Sequence, residues 1–249
     1  MQRWTKRTLV LVGLAQLFAM AMPAHAQWAA KTEAGVVAAR GNTTTDSANA
    51  KLDISREFVE WKHSLGLSGV YQSDETGATG QRWEARGQSD YKFRPKGFWF
   101  GSARYEEDRF SGFEYQSTYG TGLGWRFYDD PVTKFIVQLG VGYKVFRTRD
   151  AIADDEVTLI PGERREQAIG QFNLNFERQL TPTTKVLNRF LTESGSDNTF
   201  MQNEFSLEVK ILESLALAAG YAARYNTDPP TGFKELDTLT TLNLVYELK

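Results

Sequence analysis

Histidine is the side chain used most often as a general base, and the chain carries it at only two positions, His25 and His63. His25 lies in an N-terminal segment that we expect to be removed, so His63 is the one candidate. It shares its alternation with Trp61 and Leu65, which predicts a place on an apolar face near one end of a strand. An amphipathic ring at such a place is typical of a membrane-interface residue. We therefore predict no catalytic residue and a protein that is not an enzyme.

Carboxylates gather in the segment from Thr148 to Glu166, and oxygen ligands of this kind could bind Ca²⁺ or Mg²⁺. The acidic residues are Asp150, Asp154, Asp155, Glu156 and Glu163, and the flanking arginines are Arg147, Arg149, Arg164 and Arg165. Their spacing does not match the Asp-x-Asp-x-Asp-Gly pattern of a calcium loop. We predict a solvated loop with internal ion pairs, no metal site, and no cofactor elsewhere in the chain.

A glycine-rich run, Gly120-Thr121-Gly122-Leu123-Gly124, invites comparison with a phosphate-binding loop. Such a loop needs a helix directly after it, whereas this one continues into Trp125-Arg126-Phe127 within a predicted strand. Five glycines of this strand and the next share a face with polar residues: Gly120, Gly122, Gly124, Gly140 and Gly142. They predict a wall bare of side chains, which lets the sheet curve sharply or leaves room for large residues from across the interior.

The elements that hold these residues are predicted to be strands. From Ser47 to Phe58, apolar and polar residues alternate with a period of two. The same alternation returns along the chain and predicts twelve strands, at 31–40, 47–58, 61–73, 81–93, 97–108, 116–128, 134–147, 167–179, 185–194, 199–210, 215–227 and 235–249. The fold class is all-β.

Strand length and aromatic placement separate a soluble sandwich from a membrane barrel. Strands of roughly 10 to 13 residues exceed the usual 5 or 6 and suit a tilted strand that crosses a bilayer. From Trp61 to Tyr71, roughly 33 Å of strand projects to about 25 Å at a tilt near 40°, the height of an apolar band between aromatic girdles. The predicted girdle residues are Trp61, Tyr71, Trp83, Tyr91, Trp99, Tyr105, Trp125, Tyr143, Tyr221 and Tyr246.

The connections alternate between short turns and longer loops, as in outer-membrane barrels. The longer ones are expected at 74–80, 109–115, 148–166 and 226–234. We predict a transmembrane up-and-down antiparallel β-barrel of twelve strands, with ten as the fallback, and with both termini in the periplasm.

The N-terminus has the features of a secretory signal peptide. Arg3, Lys6 and Arg7 precede an apolar stretch, and Ala24-His25-Ala26 supplies a small-x-small cleavage pattern. Residues 1–26 are therefore expected to be removed, leaving 27–249 as a single domain. Removal of the three basic residues lowers Lys+Arg from 29 to 26 against 31 Asp+Glu, which argues against nucleic-acid binding. The absence of cysteine fits export to an oxidising compartment.

The polar faces of the strands carry charges of both signs. Those predicted to line the lumen include Arg82, Glu84, Arg86, Asp90, Arg104, Glu106, Glu204 and Glu208. Opposite signs two residues apart, as in Arg82-Glu84-Arg86, favour a network across the lumen over a single-sign filter. A barrel of twelve strands allows either a narrow pore or a closed plug.

Three segments resemble the YdiY-like family of salt-induced outer-membrane proteins, which carries a domain label of unknown function. They are the turn Arg40-Gly41-Asn42-Thr43-Thr44-Thr45-Asp46, the Gly-x-Gly pairs at 120–124 and 140–142, and the closing run from Asp237 to Tyr246. The resemblance covers nearly the whole mature chain and implies an outer-membrane barrel without an assigned reaction. The chain departs from many such barrels because it ends in Tyr246-Glu247-Leu248-Lys249 and not in an aromatic residue.

These observations predict a non-enzymatic outer-membrane barrel that is structural or a narrow passive pore, with a salt-stress link that only the resemblance implies. Its expected partners are outer-membrane lipid and lipopolysaccharide, the barrel-assembly machinery, and small solutes. Two alternatives remain open: a barrel enzyme acting on lipid or lipopolysaccharide, and a soluble periplasmic lipocalin-like binding protein.

Overall fold

A computed structural model describes residues 28–39, 45–109, 111–152, 159–230 and 232–248. Long alternating segments form its strands: β1 (Trp28–Ala39), β2 (Thr45–Glu57), β3 (Trp61–Asp74), β4 (Gly77–Lys92), β5 (Gly97–Asp108), β6 (Phe113–Asp129), β7 (Thr133–Thr148), β8 (Ala151–Ile152), β9 (Leu159–Ile160), β10 (Arg164–Gln179), β11 (Thr184–Gly195), β12 (Thr199–Lys210), β13 (Leu215–Asn226) and β14 (Leu236–Leu248). The predicted signal peptide lies outside the described residues. Within them, no helix is long and apolar enough to cross a membrane.

Twelve of these strands form one closed barrel in the order β1-β14-β13-β12-β11-β10-β7-β6-β5-β4-β3-β2. Every neighbouring pair is antiparallel, and each strand lies beside the barrel strand that precedes it in the chain. The all-β fold class and the up-and-down barrel of twelve strands are therefore confirmed. The remaining two strands, β8 and β9, form a separate two-stranded ladder within the 148–166 segment, where no strand was predicted.

The barrel closes where its first and last strands meet, and this seam has a short register. Among the described residues, β1 pairs with β2 from Trp28–Arg56 to Ala39–Thr45. It pairs with β14 at only five positions, from Ala30–Leu248 to Ala34–Leu244. Within the described residues, the first and last strands of the barrel therefore pair at fewer positions than any other two neighbouring barrel strands.

The start of β1 and the end of β14 lie at one end of the barrel, which we call the termini end; the opposite end is the loop end. The connections at the termini end are short, at 58–60, 93–96, 130–132, 180–183 and 211–214. Of the four longer loops predicted for the loop end, 149–163 and 227–235 are long. The prediction for 74–80 was wrong, because β4 begins at Gly77. Gly77 adopts a positive φ, and the amide of Thr76 donates to Oδ1 of Asp74 at 2.7 Å, which together make a tight turn. The segment 109–115 is also shorter than predicted, because β6 begins at Phe113.

Candidate functional site

The outer surface of the barrel is apolar, and the inner surface is polar. The predicted girdle residues all lie on the outer face, and Trp61, Tyr71, Trp99 and Tyr246 are each more than a third exposed. Leucine and valine side chains between the aromatic residues are exposed as well, among them Leu123, Leu139, Val141 and Leu244. An apolar band between aromatic rows is the surface that a membrane-spanning barrel presents to lipid. A lipocalin-like protein has the reverse arrangement, with its apolar face inside.

The eight charged residues predicted for the lumen all lie on the inner face. Glu84, Asp90, Glu106 and Glu208 are buried there, and Arg104 is nearly so. The exposed apolar residues lie on the opposite parity of each strand. Alternation alone was therefore enough to assign the charged residues to the inner face. The lumen is the candidate functional site because it concentrates the buried ionisable groups of the described residues.

The half of the lumen nearer the loop end is crossed by a cluster that we call the plug, formed by Arg104, Glu106, Lys144, Glu193, Phe200 and Arg224. At its centre is Glu193, which is 2% exposed. Its Oε2 lies 2.7 Å from a guanidinium nitrogen of Arg104 and 3.3 Å from Nζ of Lys144, and it accepts a hydrogen bond from Thr118. The carboxylate thus joins β11 to β5, β6 and β7 across the interior.

A second ion pair spans the full width of the barrel. Nη2 of Arg224 on β13 lies 2.5 Å from Glu106 on β5, and these two strands face each other in the strand order. The ring of Phe200 lies beneath three cations, with Arg104, Lys144 and Arg224 each about 5 Å from its centre. Buried charges are stable only when they are paired and hydrogen-bonded, and a cation over an aromatic face adds to that pairing. The plug is therefore a layer of paired charges, packed around Phe200, that crosses the lumen.

Between the plug and the termini end of the barrel lies a cavity of about 550 Å³. We call it the vestibule. Its walls reach from Lys62, Lys134 and Glu247 near the strand ends to Arg104 and Glu193 at the plug. The lumen is thus divided into a packed half and a half that holds a cavity.

Ion pairs also link strands around and across the vestibule. Asp53 on β2 lies 2.6 Å from Arg86 on β4 and 3.3 Å from Arg189 on β11. Nearer the termini end, Glu208 pairs with Lys31 and with Lys185. Nζ of Lys185 in turn lies 2.5 Å from Glu247 on the last strand. Each of these charged side chains is therefore paired with an opposite charge within the protein.

The five glycines predicted to form a bare wall lie on the inner face of β6 and β7, next to the vestibule. A side chain at Gly124 would meet the ring of Phe98, and one at Gly120 would meet Gln171. At Gly122 it would meet the backbone of Leu139 and Gly140 on the neighbouring strand. The glycines therefore admit large side chains from the neighbouring strands β5 and β10, and not from across the lumen as was anticipated.

His63 lies on the outer face near the termini end, as its alternation predicted. Its Nδ1 is 2.8 Å from the hydroxyl oxygen of Ser89 on the next strand, and its ring stacks on Trp61 at 5.8 Å. Phe58 contacts the ring by its edge. Among the described residues no carboxylate contacts this histidine. The serine hydroxyl gives the ring one hydrogen-bond partner on a surface that faces lipid.

The acidic segment at 148–166 is described only in part, because residues 153–158, which include Asp154, Asp155 and Glu156, lie outside the described residues. In the remainder, Oδ1 of Asp150 accepts from the amide of Gly162 at 2.8 Å, and Glu163 pairs with Arg165 at 3.2 Å. The residues that the structure describes contain no group of three His, Asp or Glu side chains that could hold a metal ion.

Glu193, Phe200 and Arg224 of the plug were not predicted to face the lumen, whereas Lys144 shares its parity with the predicted lumen-facing glycines Gly140 and Gly142. Glu193 lies on a strand whose two parities both carry apolar side chains, so alternation gave no clear inner face. Phe200 is apolar and yet points inward. Arg224 carried a usable signal, because it shares its parity with Ala218 and Ala222 while Leu217 and Tyr221 occupy the other face.

Comparison with known proteins finds similar barrels and a sequence family. The YdiY protein of Escherichia coli K12, which is uncharacterized, is 25% identical over 218 residues, covering 86% of this chain and 81% of YdiY. Solved structures of similar outline include the translocator domain of the autotransporter NalP from Neisseria meningitidis, with a TM-score of 0.47, 11% identity, and coverage of 98% and 95% of the two chains. The NanC porin has a TM-score of 0.49, 9% identity, and coverage of 89% and 99%.

A family model matches residues 32–248, which include all but the first few residues of the barrel. This match agrees with the YdiY-like resemblance of the sequence. The chain therefore belongs to the DUF481 family of proteins of unknown function.

Proposed function

We propose that this protein is a non-enzymatic outer-membrane barrel whose lumen is closed at rest. The plug carries this proposal. Its members are from 1% to 11% exposed, and they bridge strands on opposite sides of the barrel. A passive pore would need a continuous aqueous path, and the paired charges around Phe200 occupy the cross-section where that path would run.

The location rests on the apolar outer band and on the family. The short connections and both termini share one end, which is the periplasmic end of an outer-membrane barrel. Fractionation tests this location: the protein should pellet with outer membranes, and an unheated sample should migrate faster than a boiled one on a detergent gel. A protein that stays soluble after membranes are pelleted would favour a periplasmic binding protein instead.

Conductance across a planar bilayer tests the closed lumen. Wild-type protein should give no steady current steps. The double variant Glu193→Ala with Phe200→Ala removes both the central carboxylate and the ring, and we expect it to conduct. The matched control is Lys92→Ala, which breaks an ion pair with Glu57 at the rim, 2.6 Å long, and should leave the current unchanged. Steady channels in wild-type protein would contradict the proposal.

The family resemblance adds a role during salt or osmotic stress. This role predicts that the transcript rises when NaCl is added to a growing culture and that a deletion strain grows more slowly there. Equal transcript levels and equal growth with and without salt would remove the stress link without affecting the closed barrel.

A further inference from the structure

Four amide side chains line one wall of the vestibule without partners in the protein. They are Gln138 on β7 and Gln171, Asn173 and Asn175 on β10, and together we call them the amide patch. Asn173 lies opposite Gln138 in the register of the two strands. In the part of the chain that the structure describes, none of the four makes a hydrogen bond with another side chain or with the backbone through its amide group.

The lack of partners is unusual because two of these amides are almost fully buried. Gln138 is 5% exposed, and Gln171 is 6% exposed. Oε1 of Gln171 is buried without a hydrogen-bond partner, and its side chain lies over the bare backbone of Gly120. Buried polar groups are nearly always paired, so an unpaired amide beside a cavity marks a surface for a ligand or for ordered water.

The chemistry of the patch selects one class of ligand. An amide offers a donor and an acceptor side by side, which matches a hydroxyl group, since a hydroxyl also donates and accepts. The charges beside the amide patch are already paired within the protein. Arg189, next to Asn175 in the register, pairs with Asp53, and Glu193, next to Gln171, pairs with Arg104, so the patch does not call for a charged ligand. From Gln171 to Asn175 the strand spans roughly 13 Å, enough for a ligand of more than one ring.

We propose that the vestibule binds a short, neutral, hydroxyl-rich saccharide through the amide patch. The ligand enters from the periplasmic side, because the plug closes the other half; this direction rests on the orientation proposed above. Such a saccharide has two sources, a soluble glucan of the periplasm or a glycan fragment of the cell wall. The hydroxyl chemistry is common to both.

Saturation-transfer NMR on the folded barrel in detergent tests this inference. Maltotriose is the probe for a soluble glucan, and the trimer of N-acetylglucosamine is the probe for a cell-wall glycan. We expect transfer to at least one of them, and the one that receives it identifies the source. The double variant Gln138→Leu with Asn173→Leu should weaken binding about tenfold or more, because each lost hydrogen bond leaves a ligand hydroxyl unmatched.

The matched control is Asn203→Leu. Asn203 is an amide on the outer face, where it accepts from Asn188 at 3.1 Å, and its loss should leave saccharide binding unchanged. A second variant, Ser64→Trp on β3, fills the cavity from a strand that is not adjacent to β7 or β10 and should also abolish binding. Heat-modifiable migration on a gel verifies that each variant is folded.

Transfer to neither saccharide from folded wild-type protein would overturn the inference, as would equal binding by the amide variant. The protein could pellet with outer membranes and give no current, and yet bind no saccharide. That result would refute the saccharide site alone and would leave the proposal of a closed barrel standing.

Discussion

Glu193 is the residue on which the plug depends, because one carboxylate offsets two buried cations. Arg104 and Lys144 reach it from different strands, and neither is more than 11% exposed. If the carboxylate is removed, Lys144 loses its ion pair, and Arg104 keeps only Glu84 and Glu106. Breaking a buried pair from one side is far more costly than replacing the whole pair by apolar residues.

We therefore predict that Glu193→Gln lowers the free energy of unfolding by about 3–5 kcal/mol, the range for one-sided loss of a buried ion pair. Urea unfolding of the barrel in lipid vesicles measures it. The control is Glu57→Gln. The side chain of Glu57 is 52% exposed, and its partner Lys92 lies at the rim. Exposed ion pairs contribute about 0–1 kcal/mol to the free energy of unfolding. Equal losses in the two variants would mean that the plug carries no special share of the stability.

At the residue scale, alternation was enough to predict which face of the barrel a side chain occupies. It did not predict the ion-pair partner of that side chain across the lumen. The sequence places Arg104 and Glu106 inside, because Trp99 and Tyr105 occupy the other parity. It does not reveal that Glu106 reaches Arg224, because the two residues are far apart in the chain and meet only once the barrel has closed. A pairing across the lumen depends on the strand order and on the stagger of every strand between, and no local pattern encodes these.

At the scale of elements, the facing glycines of β6 and β7 leave no room for side chains, because a Cβ at Gly122, Gly140 or Gly142 would lie within 2.5 Å of a backbone oxygen on the other strand. Gly122 and Gly140 face each other in the register, as do Gly120 and Gly142. A Cβ at Gly122 would run into the neighbouring backbone, whereas one at Gly101 on the outer face would meet nothing within 4 Å. Glycine is therefore required on the inner face of this strand pair and is merely tolerated on the outer face.

Gly122→Leu should accordingly hinder assembly, because the new side chain can be accommodated only if the backbone of β7 moves. The measurement is the fraction of protein that migrates as the folded form without heating, which we expect to fall severalfold. Gly170→Leu is the matched control, since a Cβ there meets only one carbonyl oxygen, at 4.0 Å. Normal assembly of Gly122→Leu would show that the strands have room to separate.

The strands were predictable because length and alternation are local properties of the chain. The turn at 74–77 was not, since Ala78, Thr79 and Gly80 have the composition of a loop and yet continue β4. Gly80 allows this extension, because a side chain there would meet Gln72 on the partner strand. The register shift between Gln72 and Ser73 is a second departure that no periodicity indicates.

For the molecule as a whole, the seam between β1 and β14 is where the barrel opens most easily. Its five register positions must hold together residues from the two ends of the chain. The chain contains no cysteine, so a disulfide can be introduced there without competing thiols. Directly paired residues of an antiparallel ladder lie within the Cα separation that a disulfide requires.

We predict that the double variant Ala34→Cys with Leu244→Cys, once oxidised, unfolds at a higher temperature than its reduced form. The reason is twofold: the link closes the weakest ladder, and it closes a very long loop of chain. The gel-shift transition on heating reports it. As a comparison, Thr121→Cys with Val141→Cys links β6 and β7, which already share a long ladder, and should raise the transition less. A larger rise for the second pair would contradict a weak seam.

In the orientation proposed above, the vestibule opens toward the periplasm and the plug lies between it and the medium. The protein should therefore not contribute to uptake from the medium. Cells with and without it should take up dyes and antibiotics at the same rate. Any ligand of the vestibule must then be a molecule that the cell itself releases into the periplasm.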